Sequence, residues 1–161
     1  MKRVPTGIGS SYQTLNDNLS SEASNSEICN KSIGQKFKTV TIIGSYRKHL
    51  DGIIKIKAEL ELQGVRVLSP RFTQPINRDD EFITFVGEEK MTHSEIEKVH
   101  LDSITKSDAV IVCDKGGYVG NATLFEIGYA YALGKRIIFT SKPEEYLLNI
   151  LFCGIEINST L

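Results

Sequence analysis

A glutamate in apolar company is the residue of this chain best suited to chemistry. Glu126 falls within Asp108–Gly134, DAVIVCDKGGYVGNATLFEIGYAYALG, which reads as a buried strand, a glycine-rich loop and a helix. Leu124, Phe125, Ile127, Tyr129, Ala130 and Tyr131 surround it with apolar side chains on several faces. On an open surface a carboxylate near a helix start is simply a solvated group favoured by the dipole. In such a setting a site is the better reading, because the helix N-terminus helps keep the carboxylate ionised and therefore nucleophilic. The loop ahead of it carries Gly116, Gly117, Tyr118, Gly120 and Asn121. Its glycines let backbone approach a ligand closely, although an ordinary flexible turn needs them too.

Three further groups of residues qualify. Gly44-Ser45-Tyr46-Arg47 offers a tight turn, a hydroxyl, an aromatic face and a guanidinium. Backbone N–H groups at the start of a following helix can hold an anion, and an arginine can add a bidentate phosphate contact. A strand-to-helix turn with a surface arginine is the equally weighted alternative. His100 shares a helical stripe with Ile96, Val99, Ser103 and Ile104, which turns it inward. Such a histidine is most often a hydrogen-bonded core residue; its functional reading is a proton donor near neutral pH. Among the loop carboxylates, Asp114 stands at a strand end and is a better catalytic candidate than the solvated pair Asp79 and Asp80.

The elements that must position these groups alternate between strand and helix. KTVTIIG is β-branched and almost wholly apolar, as a central parallel strand is. From about His49 to Gln63 two signals conflict. Ile54, Ile56, Ala58, Leu60 and Leu62 alternate with polar residues in a strand period. Length, the i,i+4 pairs Lys55/Glu59 and Lys57/Glu61, and Gly64 as a stop favour a helix. VRVLSP reads as a second strand ended by Pro70, residues 71–81 as a loop, and FITFVG as a short strand at an edge or in a hairpin-like insertion. Thr92-His93-Ser94-Glu95 makes a capping box for a helix to about Ser107. Strand Asp108–Cys113, helix Ala122–Leu133 and strand RIIFT follow, then a helix from Pro143 through PEEYLLNILF and a last short strand in GIEIN. Repeated β and α units of this length imply a parallel sheet with helices on both faces. The loops after the first, second and third strands of the core then converge on one crevice.

Bulk composition narrows the field. The 161 residues suit one domain with an appendage, and 40% hydrophobic residues suffice for one core. A net charge of −1 gives no electrostatic case for nucleic acid or an acidic membrane surface. No apolar run reaches the roughly 18 residues of a membrane span. Cys29, Cys113 and Cys153 are sparse and lack a CxxC spacing, which fits free thiols in a reducing, cytoplasmic setting; Cys113 reads as a small buried side chain. Three histidines without a His/Cys cluster argue against a structural metal. Residues 1–36, rich in Ser and Asn, read as a disordered tail ahead of a domain spanning 37–161.

The IGSYR strand-turn, the SD before a hydrophobic strand, and GGYVGNATLFEIGYAYALGKRI together resemble the nucleoside 2-deoxyribosyltransferase superfamily, which includes the 2′-deoxynucleoside 5′-monophosphate N-hydrolases. The likeness covers about Thr39–Lys142. It implies an α/β flavodoxin-like three-layer sandwich with a parallel sheet of about five strands. It places the family nucleophile on Glu126, attacking the anomeric carbon to form a glycosyl-enzyme ester that water or a second base resolves with retention. It places a 5′-phosphate on Ser45 and Arg47. It implies a small nucleoside or nucleotide as partner, no cofactor, and a homodimer or larger homo-oligomer whose sites borrow residues from a neighbour. Two departures stand out. The nucleotide hydrolases carry an aspartate where His100 falls, and transferases carry one just before the glutamate motif, where this chain has Tyr118-Val119-Gly120-Asn121. His100 replacing the aspartate as acid, a changed substrate, and a nucleotide-sensing module without turnover are the resulting alternatives. A weaker one is a phosphoribohydrolase of the cytokinin-activating type, whose PGGxGTxxE signature GGY…TLxE loosely resembles, with VGNA spoiling the spacing.

Overall fold

The computed structural model describes residues 33–152 and 156–157, all within one compact unit, Ser32–Leu161. The expected tail therefore lies almost wholly outside the described residues, as do Cys29 and Cys153. In chain order the elements are α1 (Ile33–Lys36), β1 (Thr39–Gly44), α2 (Tyr46–Leu62), β2 (Arg66–Ser69), α3 (His93–Lys106), β3 (Ala109–Cys113), α4 (Asn121–Ala132), β4 (Arg136–Phe139), α5 (Tyr146–Leu151) and β5 (Glu156–Ile157).

The sheet has the order β2-β1-β3-β4-β5 with every pairing parallel. This is the flavodoxin-like order, with its switch point between β1 and β3. Four strands of four to six residues carry the sheet, and a two-residue strand completes it. Alternate residues serve opposite layers. Val40, Ile42, Ala109, Ile111 and Cys113 pack with Ile53, Ile56 and Leu60 of α2. Ile43, Val110, Val112, Ile137 and Phe139 pack with Ile104 of α3, Ile127 and Ala130 of α4, and Leu148 of α5. Three layers result, with β3 buried along its whole length. Cys113 is part of that packing, and burial pushes its thiol up to about 11.

Helix α2 resolves the conflict of periods. Its buried residues His49, Leu50, Ile53, Ile56 and Leu60 follow the helical spacing, while Leu62 is 88% exposed. The alternation arises because the helix has two apolar sides. Ile54 and Leu50 meet a second small cluster, Ile83 and Phe85 with Phe72, supplied by residues 71–91. That segment is where FITFVG departs from expectation. It forms no sheet strand, only an isolated antiparallel bridge between Pro75 and Phe85. Asn77 organises it, its amide donating to Asp80 and to the Phe82 carbonyl while its oxygen accepts from Thr84 N–H. The capping box at Thr92 and Glu95 is present. The last helix begins later than Pro143, at Tyr146, because the Glu145 side chain caps it by accepting from Leu148 N–H.

Two glycines test this packing. A Cβ on Gly44 would lie 2.7 Å from the Cys113 carbonyl oxygen, whereas one on Gly128, in the middle of α4, would meet nothing within 4 Å. Gly44→Ala is expected to lower stability by about 1–3 kcal/mol. Gly128→Ala is expected to raise it by about 0.5–1 kcal/mol. Urea midpoints of the two variants against the parent check both signs.

Candidate active site

The C-terminal ends of β1, β2 and β3 open on a cleft of about 350 Å³. Its shape follows from the register. The edge strand β2 ends with Ser69 beside Thr41, three residues short of Gly44, while β3 continues level with Gly44 to Cys113. The early end of β2 leaves a recess beside the end of β1. Helix α3, running over that side of the sheet, turns His100 into it. Residues 71–91 close the far wall with Phe82 and Phe85, and Phe82 stacks on His93 with ring centroids 4.2 Å apart.

Gly44, Ser45, Tyr46 and Arg47 line the cleft as expected of the turn after β1. Ser45 is the N-cap of the 17-residue α2, and its side chain makes no capping hydrogen bond. The first N–H groups of that helix have no intrahelical acceptor by construction. The site thus combines a helix N-terminus, an uncommitted hydroxyl and a guanidinium, with Arg71 from the loop after β2 on the same cleft.

Tyr118, Gly120, Asn121 and Glu126 also line the cleft. Tyr118 is clamped against α2, with Lys48 Nζ 3.5 Å from its ring centroid and the His49 ring edge-on at 5.8 Å. Glu126 is buried, 6% exposed, at the cleft floor. Its neighbour is His100, also 6% exposed, whose Nε2 stands 3.3 Å from Glu126 Oε1. That is ion-pair distance, but the pair lacks hydrogen-bond alignment, and Nε2 has no aligned partner among the described residues. On the other side of the ring, Nδ1 meets Ser69 Oγ at 2.6 Å. The Tyr46 ring stands edge-on to His100, centroids 6.4 Å apart.

Charge follows from burial and proximity. Burial alone would lower the His100 pKa. The Glu126 carboxylate beside the ring, with Glu97 and Glu88 behind, outweighs it and raises the pKa above its ordinary value. Glu97, half-buried on the cleft wall one turn before His100, has its pKa raised first by burial and then by Glu126, against a lowering by His100. The Tyr46 phenol is pushed far up by burial and by Glu126.

Three expected site residues do not join this group. Asp114 is fully buried and faces β4. Its Oδ1 accepts from Thr140 N–H, the Thr140 hydroxyl and Ser141 N–H, at 2.8–3.0 Å. It ties the loop after β3 to the loop after β4 and does not line the cleft where the sequence placed it as a catalytic candidate. Gly116 and Gly117 are likewise absent from the cleft lining. Gly117 takes a positive φ of 82° and backs onto the next loop, where a Cβ would lie 2.6 Å from the Lys142 carbonyl oxygen. The close approach its lack of a side chain permits is to backbone, not to a ligand. Conversely, Ser69, Glu97, Arg71 and Phe82 were not singled out from the sequence. Ser69 carried a usable signal as the last residue of a strand on the crevice side, and Glu97 as the i−3 neighbour of an inward histidine.

Among the described residues, no group of three or more His, Cys, Asp or Glu side chains is arranged to hold a metal ion, and no helix is long and apolar enough to cross a membrane. A family profile described as nucleoside 2-deoxyribosyltransferase matches residues 46–159. A search of curated proteins finds no match. Among solved structures, a CMP N-glycosidase of Clostridium botulinum is similar at 24% identity with a TM-score of 0.50, over 75% of this chain and 85% of that one. At that identity the likeness speaks for the fold, and it agrees with the flavodoxin-like sheet.

Two outcomes follow from the geometry. Removing the Asp114 carboxylate strands three donors, so Asp114→Ala is expected to lower stability by about 2–4 kcal/mol in urea unfolding. A folded Asp114→Asn protein that lost all chemistry at the cleft would return the residue to the site. For His100, a raised native pKa means the folded state holds the proton more tightly. Its contribution is complete below the ordinary value of 6.5 and is lost as pH climbs through the raised native value. Stability should therefore fall from pH 6.5 into the alkaline range more steeply in the parent than in His100→Asn. Equal slopes in the two would show that the pair is not linked to folding.

Proposed function

The chain belongs to the nucleoside 2-deoxyribosyltransferase family, and from that premise we propose that it breaks or exchanges the N-glycosidic bond of a nucleoside or nucleotide, with Glu126 as nucleophile. The observation that supports this best is a buried carboxylate opening on a cleft of about 350 Å³. Cavities of about 300–1,000 Å³ take small ligands of nucleoside size.

In this reading Arg47, the Ser45 hydroxyl and the α2 N-terminus receive a 5′-phosphate or the 5′ end of the sugar. That anchors the ligand at the rim and directs its anomeric carbon to the floor. A Glu126 oxygen bonds to C1′ as the C1′–N bond breaks, and the bonding pair leaves with the base. The base takes its proton from His100 Nε2, which stands 3.3 Å from Glu126 Oε1. Water, or the nitrogen of a second base, then attacks C1′. Its proton goes to Nε2, and Glu126 departs as a carboxylate with overall retention. Aromatic side chains at the cleft, Tyr46, Phe82, Phe85 and Tyr118, offer faces for the base.

A second reading, nucleotide binding without turnover, draws on one observation. His100, whose pKa is raised, lies within ion-pair distance of Glu126, and a charged ring there would offset the carboxylate's charge. The same experiment separates the two. The full chain is incubated with pooled nucleosides and 5′-nucleotides, with and without a free acceptor base, and followed by chromatography. Free base is expected from hydrolysis and a new nucleoside from exchange. Glu126→Gln should lower the rate by about three orders of magnitude or more. Release from Glu126→Ala at the parental rate would overturn the assignment. Silence, together with nucleotide protection against heat unfolding, would favour the binding module.

A further inference from the structure

We propose that Ser69 is a positioning residue, whose hydroxyl holds His100 Nδ1 so that Nε2 alone exchanges protons at the cleft floor. This rests on reading His100 as the proton donor to the leaving base. The contact is short and shielded: Ser69 Oγ lies 2.6 Å from His100 Nδ1, and both residues are buried. The two partners come from separate elements, Ser69 from the end of β2 and His100 from α3. Their meeting is therefore a product of the fold and not of local sequence.

A hydroxyl suits this place because it both accepts and donates. In the imidazolium both ring nitrogens carry protons. Nδ1–H then donates to Ser69 Oγ, and Nε2–H faces Glu126. When the leaving base takes the Nε2 proton, the neutral ring keeps Nδ1–H on Ser69, and the Nε2 lone pair is turned toward the cleft. The attacking water returns a proton to Nε2 and restores the imidazolium. With no partner at Nδ1, a buried donor is stranded each time the ring is charged, and either tautomer serves when it is neutral. A carboxylate at the position of Ser69 would add a further negative charge to a floor that already has three around the ring. Those are Glu126 from α4, Glu97 from α3 and Glu88 from the 71–91 segment, with the Tyr46 phenol from α2 and Arg47 and Arg71 at the cleft as the other polar neighbours. The neutral hydroxyl orients the ring without binding its proton too tightly to release.

The test reads the ring directly, without needing turnover. In the full chain with 15N-labelled histidine, His100 is followed by NMR across pH in the parent, Ser69→Ala, Ser69→Cys and Ser69→Thr. Loss of the Nδ1 acceptor in Ser69→Ala is expected to lower the His100 titration midpoint by about one pH unit. Ser69→Cys, a weaker acceptor of similar size, should fall between, and Ser69→Thr should restore the parental value. If the chain turns over a nucleotide, kcat should drop about tenfold in Ser69→Ala with KM little changed. An unchanged His100 midpoint in a folded Ser69→Ala or Ser69→Cys protein would overturn the proposal. Absence of turnover in the parent would instead remove the enzymatic reading, and the titration would still decide what Ser69 does to the ring.

Discussion

The whole cleft depends on how closely β1 and β3 can run side by side. They are parallel and paired rung by rung from Val40 with Ala109 to Gly44 with Cys113. At the last rung a side chain on Gly44 would collide with the Cys113 carbonyl. From these two strand ends the chain departs in opposite senses. After Gly44 it enters α2 on one face of the sheet, and after Cys113 it passes through the glycine loop into α4 on the other. Right-handed crossovers running both ways from one pair of strands leave a crevice between them. Ser45, Tyr46 and Arg47 hang on one side of it, and Tyr118, Gly120, Asn121 and Glu126 on the other. Asp114, at the first residue after β3, then fixes the position of the loop by holding Thr140 and Ser141.

The electrostatics are layered. The guanidinium groups of Arg47 and Arg71 belong to exposed residues at the mouth of the cleft. Glu126 and His100 lie at its buried floor. A ligand with an anionic end and a polarised carbon at the other can satisfy both layers only in one orientation. Screening by solvent weakens the rim charges, while the buried pair is screened little. The rim therefore steers, and the floor is where differences in charge are felt strongly.

Most of the fold was legible because the central strands β1 and β3 are buried almost throughout and read as apolar, largely β-branched runs, and the helix of Thr92 announces itself with its capping box. What could not be read locally depended on partners distant in sequence. The alternation in Ile54–Leu62 looked like a strand because the segment packing over Ile54 comes from residues 71–91. FITFVG has strand composition but joins no sheet strand, because Asn77 folds it back on itself. In the site, Glu126 and His100 were legible as polar residues on apolar stripes. Asp114 turns away from the cleft, since strand-end position does not say which way a side chain points; its partner is Thr140, 26 residues on. The contact of Ser69 with His100 spans 31 residues and leaves no periodic trace.

The histidine at position 100 changes the problem that the floor must solve. An aspartate there, as in the nucleotide hydrolases this chain resembles, would set two carboxylates side by side, and like charges oppose joint ionisation. One of the two would then hold a proton, and the acid would come from that shared proton. With His100 there, the neighbouring carboxylate instead favours the protonated ring. Burial of the ring works against its charge, and Glu126 first, with Glu97 and Glu88 behind it, outweighs that burial. Its own burial, and then the charge of Glu126, make Glu97 harder to ionise. Glu126 Oε1 and His100 Nε2 thus stand 3.3 Å apart in one buried recess, an acidic group beside a basic one rather than two carboxyls. Behind the ring, the neutral hydroxyl of Ser69 meets His100 Nδ1.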